Sequence, residues 1–265
     1  MIYAKKNLGQ HFLTSDRALR HIVGSAQVAQ HDVVLEIGPG RGALTAPLLA
    51  TGARIIAIEK DTEMVAILRD MFVEEIASGQ CMLVEGDVRA LDSDTLDALC
   101  AGRPYKLVAN IPYYITGEIL RQFLTIEPQP VSMTLLVQKE VAERIARSKK
   151  ESILSLSVKI FGTPLYVETV PAGAFSPPPS VDSAILHINS LSKNAFVNIS
   201  EQDFFTVVKT GFAARRKQLR GNLRALYTPE SVSAAFAACK LRDDIRGEDV
   251  SCEMWVKIAE ILEKK

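Results

Sequence analysis

Val33-Val34-Leu35-Glu36-Ile37-Gly38-Pro39-Gly40-Arg41-Gly42 is the stretch on which the fold of this 265-residue chain turns. A short β-branched run reads as a buried strand, and the glycines that follow permit a tight turn into the next helix, expected over residues 43–50. The same alternation continues along the chain. Strands are expected at 54–59, 81–85, 106–110 and 131–138, with helices at 62–72 and 139–147. Strands spaced this way need crossover helices between them, so the sheet should be mostly parallel with helices on both faces. In such an α/β sheet the ligand crevice lies outside the carboxyl ends of the strands.

Upstream, Leu19, Ile22, Val23 and Ala26 recur at helical spacing after Thr14 and Ser15, either of which can cap. Downstream, Pro177-Pro178-Pro179 breaks regular structure and residues 181–188 then alternate, which suggests an antiparallel pair closing the edge of the sheet. Residues 189–198 are polar and read as a linker. Beyond them the pattern is helical: Ser200-Glu201-Gln202-Asp203 can form a capping box, Thr228-Pro229 opens a helix, and Ser251 can cap the last one. The division expected is a catalytic domain over residues 1–190 and a small all-helical domain over 198–265.

Composition narrows the classes. Hydrophobic residues make up 48% and charged residues 23%, with 31 basic and 31 acidic side chains, so bulk charge does not advertise a nucleic-acid partner. Cys81, Cys100, Cys239 and Cys252 are scattered without a Cys-x-x-Cys pair, and His11, His21, His31 and His187 are dispersed. A reduced, cytoplasmic protein with no metal site is expected. The first residues lack the apolar core of a signal peptide, and no run approaches the roughly 18 apolar residues of a membrane span.

The turn at Gly38, Gly40 and Gly42 departs from the dinucleotide fingerprint G-x-G-x-x-G, because its third glycine comes one residue early and a proline lies inside it. No G-x-x-x-x-G-K-[ST] loop is present. Glu59 ends the second strand about 20 residues after the turn, where a carboxylate can accept from both ribose hydroxyls. Asp87 ends the third strand and can accept from an exocyclic adenine amine. A glycine turn, a ribose acid and an adenine acid make a nucleoside pocket with no phosphate clamp. S-adenosylmethionine fits that description, since it carries adenosine and a sulfonium but no phosphate. At the end of the fourth strand stands Asn110-Ile111-Pro112-Tyr113, an amide, a turn-forcing proline and an aromatic face together.

With these motifs in order, the chain resembles the ribosomal RNA adenine N6,N6-dimethyltransferases, and within them the bacterial small-subunit (16S) enzymes. The series begins at Lys6-Asn7-Leu8-Gly9-Gln10-His11-Phe12-Leu13 and continues through Glu36-Ile37-Gly38-Pro39-Gly40 with Gly42-Ala43-Leu44-Thr45, Glu59-Lys60-Asp61 and Gly86-Asp87. Asn110-Ile111-Pro112-Tyr113-Tyr114-Ile115 and Gln138-Lys139-Glu140-Val141-Ala142 follow. Phe175-Ser176-Pro177-Pro178-Pro179-Ser180-Val181-Asp182-Ser183 and Arg215-Arg216-Lys217-Gln218-Leu219 complete it. The resemblance implies a Rossmann-like S-adenosylmethionine-dependent methyltransferase domain. Its cofactor site would be His11, Leu13, Gly38, Gly40, Glu59, Asp87 and Asn110, with residues 1–13 an arm folding over the pocket. Ala214 and Gly221 depart from the family, which often has glutamine and asparagine at those positions.

The chemistry expected at Asn110, Pro112, Tyr113 and Phe175 follows from the adenine amine. Its N6 lone pair is delocalised into the ring and must be driven toward tetrahedral geometry. The Asn110 oxygen and a backbone carbonyl near Ile111 or Pro112 would accept the two N6 hydrogens as positive charge develops. Tyr113 would stack on the base, and Phe175 would close its other side. The RNA would be held elsewhere. Lys209, Arg215, Arg216, Lys217, Arg220 and Arg224 form a cluster with no acid among them, on a segment whose Phe212, Leu219, Leu223 and Leu226 take helical spacing.

The partner implied is 16S rRNA within the immature small subunit, methylated at two adjacent adenosines of its 3′-terminal hairpin by a monomeric enzyme. Two rivals share part of the pattern: a 23S rRNA adenine dimethylase conferring antibiotic resistance, and a mainly non-catalytic small-subunit assembly factor.

Overall fold

The structure, a computed structural model, describes residue 5, residues 9–214 and residues 216–263. Lys6, Asn7 and Leu8 of the arm motif and Arg215 of the basic cluster lie outside the described residues.

Seven strands form the sheet: β1 Val33–Ile37, β2 Arg54–Glu59, β3 Cys81–Glu85, β4 Tyr105–Asn110, β5 Ser132–Gln138, β6 Thr163–Val170 and β7 Ser183–Asn189. Their order is β3-β2-β1-β4-β5-β7-β6. The first five run parallel, and β7 lies antiparallel between β5 and β6. The expected antiparallel pair therefore closes this edge of the sheet, with β7 inserted between β5 and β6. Strand β6 alternates exposed and half-buried residues along most of its length, as an edge strand does, and this left it illegible in the sequence.

The chain winds outward from β1 through β2 to β3, then returns to start again at β4 beside β1. Right-handed crossovers put the helices of the two halves on opposite faces and leave a crevice where the order reverses. Every residue of β1 is buried, as expected for a strand covered on both faces. Helix Asp16–Ala26, capped by Ser15 rather than Thr14, buries Ala18, Leu19, Ile22 and Ala26 in the core with Val34, Leu48, Val108 and Leu136. Complete burial of a side chain such as Ile22 contributes about 1.5–3 kcal/mol. The helix after the glycine turn is shorter than expected, Thr45–Leu49, and the next is Thr62–Met71.

Two compact units emerge: Met1–Ala142 with Thr163–Leu191, and Glu143–Gly162 with Ser192–Lys265. The segment Glu143–Gly162, which the sequence division leaves in the first domain, thus groups with the C-terminal helices. In that second unit Ser200 accepts from the Asp203 N–H at its helix start, whereas the reciprocal capping box occurs at Ser152 and Ser155. Thr228 and Ser251 cap as expected. The fully buried Trp255 ring stacks on Phe212 at 5.5 Å and centres this unit's core. No helix among the described residues is long and apolar enough to cross a membrane.

Candidate active site

The carboxyl ends of β1, β2, β3 and β4 surround a cavity of about 320 Å³. Gly38 and Gly40 line it, and with Gly42 they have φ of +65°, +56° and +77°, left-handed values that side chains resist. Gly38 N–H donates to the Ile58 carbonyl at 2.9 Å, tying the turn to β2. A methyl group at Gly38 would meet no atom within 4 Å, so the backbone there faces open space in the cavity wall. Such a cradle lets a ligand approach the main chain closely.

Glu59 is held by the turn it faces. Its Oε2 accepts from the Gly40 N–H at 3.0 Å and its Oε1 from the Asp61 N–H at 2.9 Å. Each oxygen keeps acceptor capacity for a ribose hydroxyl. Asp87 also lines the cavity, and it is more heavily engaged than its sequence position indicates. Arg89 grips it through Nη2 at 2.6 Å and Nε at 3.0 Å, and Lys60 Nζ adds a contact at 2.9 Å. Arg89, with Lys60 and the Arg89 N–H, holds the Asp87 carboxyl well below the usual carboxylate range against the opposing effect of burial. The carboxylate is therefore an ionised acceptor at neutral pH.

The arm crosses this site. Phe12–Leu13 pairs antiparallel with Phe175–Ser176, and Thr14 ties down the next residue through N–H and Oγ1 contacts of 2.8 and 2.9 Å to the Ala174 carbonyl. Leu13 is buried and, with His11, lines the cavity. The Phe12 ring lies over the turn, 3.1 Å from where a Gly40 methyl would be, with the Arg41 guanidinium 4.3 Å from its centroid. Sequence reasoning missed the anchor. Asp61, 3% exposed, accepts from Lys5 Nζ at 2.8 Å and Gln10 Nε2 at 3.0 Å while capping the Thr62–Met71 helix. Burial would raise its carboxyl, but the bonds from Lys5, Gln10 and the Glu63 N–H hold it below the ordinary value. In the sequence Asp61 stood out only as part of Glu59-Lys60-Asp61.

At the end of β4, Asn110 Nδ2 donates to the His11 carbonyl at 3.3 Å. That bond engages one of the amide's two N–H donors with the arm, while Oδ1 is an acceptor on a residue that lines the cavity. The Pro112 carbonyl already accepts from the Ile115 N–H at 3.2 Å. Tyr113 is half-buried, its hydroxyl is 2.6 Å from Ser183 Oγ, and its ring stacks with His11 at 6.1 Å. Burial raises its phenol, with the Ser183 hydrogen bond opposing. His11 is oriented in turn by a 2.8 Å contact between Nδ1 and the Pro177 carbonyl. Phe175 is 4% exposed and belongs to the hydrophobic core while presenting part of its surface to the cavity. The structure therefore gathers His11, Leu13, Gly38, Gly40, Glu59, Asp87, Asn110, Pro112, Tyr113 and Phe175 around one space.

One cavity-lining group was not singled out from the sequence. Glu36, inside β1, is 1% exposed, and neither of its carboxyl oxygens has a hydrogen-bond partner. Burial pushes its carboxyl up to about 8, the Thr45 hydroxyl opposing and the Glu59 charge adding to the rise. An open glycine cradle, two carboxylates ready to accept, and a buried orphan carboxyl fit a nucleoside ligand with positive charge. They offer no cluster of donors for a phosphate.

The basic residues of the second unit divide. Lys209, Arg216, Lys217 and Arg224 are exposed. Arg220 is engaged internally: its guanidinium lies 4.7 Å from the Phe236 ring centroid and pairs with Asp243 at 2.8 Å. Buried Asn222 holds the preceding loop, its amide donating to the Gly211 and Ala214 carbonyls at 2.7 and 3.1 Å.

Known proteins resemble this chain in sequence and fold. The family model of ribosomal RNA adenine dimethylase matches residues 1–264. The ribosomal RNA small subunit methyltransferase A of Dehalococcoides mccartyi is 40% identical over 258 residues, spanning 95% of this chain and 86% of its own. That of Thermosynechococcus vestitus is 39% identical over 270 residues, spanning 99% and 98%. Two crystal structures share the fold at a TM-score of 0.76: the 23S rRNA methyltransferase ErmE, at 24% identity over 96% of this chain and all of its own, and a dimethyladenosine transferase from Plasmodium falciparum, at 23% over 94% and 96%.

Proposed function

The chain belongs to the ribosomal RNA adenine dimethylase family of S-adenosylmethionine-dependent methyltransferases, and from that premise we propose that it dimethylates N6 of two adjacent adenosines in the 3′-terminal hairpin of small-subunit rRNA. The relatives named small subunit methyltransferase A, similar along nearly the whole chain, support the choice of subunit. The enzyme would act as a cytoplasmic monomer on the immature subunit.

The observation that carries the chemistry is the orientation of Asn110. Its Nδ2 donates to the His11 carbonyl at 3.3 Å, and Oδ1 is the amide's acceptor for an N6 hydrogen. An acceptor fixed in advance stabilises a cation that develops only as the reaction proceeds, and losing one such preorganised group lowers rates by roughly 10²–10³. The second N6 hydrogen would go to a backbone carbonyl, with that of Ile111 the freer because the Pro112 oxygen already accepts from Ile115. Tyr113, pinned by Ser183, offers a face on which the base stacks and whose π electrons favour the growing charge. Phe175 bounds the other side.

Glu59 would hold the cofactor ribose, Asp87 its adenine amine, and the Gly38 cradle its aminoacyl part, with Leu13 covering the apolar surface. When bound, S-adenosylmethionine supplies an electrophilic methyl group on a cationic sulfur. The chain then has to align N6 with that methyl and exclude water, and alignment supplies much of the rate. No general base is required, because the methylated amine is acidic enough to lose its proton to water.

The test is to incubate the protein with undermethylated small subunits and isotope-labelled S-adenosylmethionine, digest the RNA and identify nucleosides by mass spectrometry. Labelled N6,N6-dimethyladenosine from small-subunit RNA is the expected product. Label in large-subunit RNA instead would overturn the reading. Asn110→Ala should abolish transfer while largely sparing RNA binding, and an active Asn110→Ala enzyme would refute the role given to that amide.

A further inference from the structure

Three carboxyl groups line the cavity, and two are compensated by the protein. Glu59 receives backbone N–H donors from Gly40 and Asp61, and Asp87 is paired with Arg89 and Lys60. Glu36 has no charged or backbone partner: it is 1% exposed, neither oxygen meets hydrogen-bond geometry with any group, and the nearby Thr45 hydroxyl only weakly opposes the rise of its carboxyl. A buried carboxylate left in that state would be strongly disfavoured, so the free protein keeps the proton on it.

The groups around Glu36 make the isolation sharper. Across the sheet stand Glu59 on β2, whose charge opposes ionisation of Glu36, and Cys81 on β3, whose buried thiol is itself pushed up to about 11. From the helix after the turn comes only the Thr45 hydroxyl. Of the basic groups on the cavity wall, Lys60 and Arg89 are spent on Asp87, Arg41 lies over the Phe12 ring, and His11 bonds the Pro177 carbonyl. The compensating charge therefore has to arrive with the ligand.

We infer that Glu36 is a proton-linked charge receptor, a neutral acid in the free protein that ionises when the positively charged cofactor enters the cavity. Cofactor binding then expels a proton, and the new ion pair forms away from bulk water, where it is strong. This rests on the cofactor reading above, and it adds a property that reading lacks: affinity that depends on pH and on ligand charge. With the free carboxyl pushed up to about 8, affinity for S-adenosylmethionine should climb up to tenfold for each pH unit between about 6 and 8 and level off above. A nucleoside ligand of the same shape without charge should show no such slope.

The experiment is isothermal titration calorimetry of the full chain near pH 7, repeated in buffers of different ionisation enthalpy. The ligands are S-adenosylmethionine and 5′-methylthioadenosine, which keeps the adenosine and the sulfur but carries no charge. The wild-type protein is expected to release close to one proton per S-adenosylmethionine and almost none per methylthioadenosine. Glu36→Gln, which keeps shape and removes the titrating proton, should bind S-adenosylmethionine with no proton release and a flat pH profile. Binding by the wild type without proton release would overturn the inference, as would equal release with methylthioadenosine or release that survives in a folded Glu36→Gln protein. Failure of S-adenosylmethionine to bind the wild type at all would instead sink the cofactor reading. The wild-type measurement stands whether or not the variant folds.

Discussion

Replacing Gly42 and Gly38 by alanine, one at a time, should separate the two roles of the glycine turn. Both residues have positive φ, +77° and +65°, so each substitution carries a left-handed penalty of about 1–2 kcal/mol. Only Gly42 adds a collision. Its methyl would lie 2.8 Å from Phe72 Cε2 and 3.2 Å from Leu68 Cδ2. Phe72 and Leu68 are buried at 6% and 1% exposure, so the ring has little room to retreat. Overpacking of this kind costs a further 1–3 kcal/mol or so. Gly42→Ala should therefore lose roughly 2–5 kcal/mol, a drop in Tm of about 5–15 °C for a protein this size. Gly38→Ala should lose only the backbone penalty, about 2–6 °C, because its methyl meets no atom within 4 Å. That methyl would instead stand in the cradle and weaken S-adenosylmethionine binding by about tenfold or more. Differential scanning calorimetry measures the first effect and ligand titration the second. Equal Tm losses in the two variants, or unchanged cofactor affinity in Gly38→Ala, would refute the division.

Glu36 also predicts a pH-dependent stability. Its carboxyl rises from 4.5 to about 8 on folding, so between those values the folded chain holds a proton the unfolded chain has released, and stability falls as pH rises. Glu36→Gln escapes that loss, so its urea-unfolding advantage over the wild type should widen by about 1 kcal/mol per pH unit between pH 5 and 8; a gap independent of pH would contradict the assignment. Tyr113→Phe removes the 2.6 Å contact to Ser183 and should cost about 1 kcal/mol of stability with a modest fall in transfer. Tyr113→Ala removes the stacking face and should lower kcat/KM for RNA about ten- to a hundredfold with cofactor Kd unchanged. In the second unit, Lys217→Ala should reduce the salt slope of RNA binding by about 0.7–0.9 if Lys217 contacts one phosphate. Arg220→Ala, which breaks the Phe236 and Asp243 contacts, should chiefly lower Tm, and the opposite pattern would show that Arg220 reaches the RNA.

Much of the site was legible because strand ends are legible. The period of apolar residues locates β1 to β5, and an acidic or amide residue where each run stops falls at the crevice once the sheet is parallel. Glu59, Asp87 and Asn110 were found in that way. Strand β6 was not, since its pattern at the edge of the sheet is weak, and its partner β7 runs backward between it and β5. Asp61 stood out only within Glu59-Lys60-Asp61, because its partners Lys5 and Gln10 lie 56 and 51 residues away in the chain. Glu36 hid inside a strand, where a lone acid in an apolar run gives no sign that its carboxyl would reach the cavity unpartnered.

The sequence by itself therefore determined the alternation of strands and helices, the phosphate-free glycine turn and the Asn110-Ile111-Pro112-Tyr113 terminus, because periodicity and turn chemistry are local properties. Tertiary structure alone decided which way the Asn110 amide points, that Asp61 fastens the arm, that Arg220 is held internally, and that Glu36 is left without a counter-charge. The His11 carbonyl that orients Asn110 lies 99 residues away in the chain. Contacts of that kind arise only when packing brings distant backbone and side chains together, and no local pattern of residues encodes them.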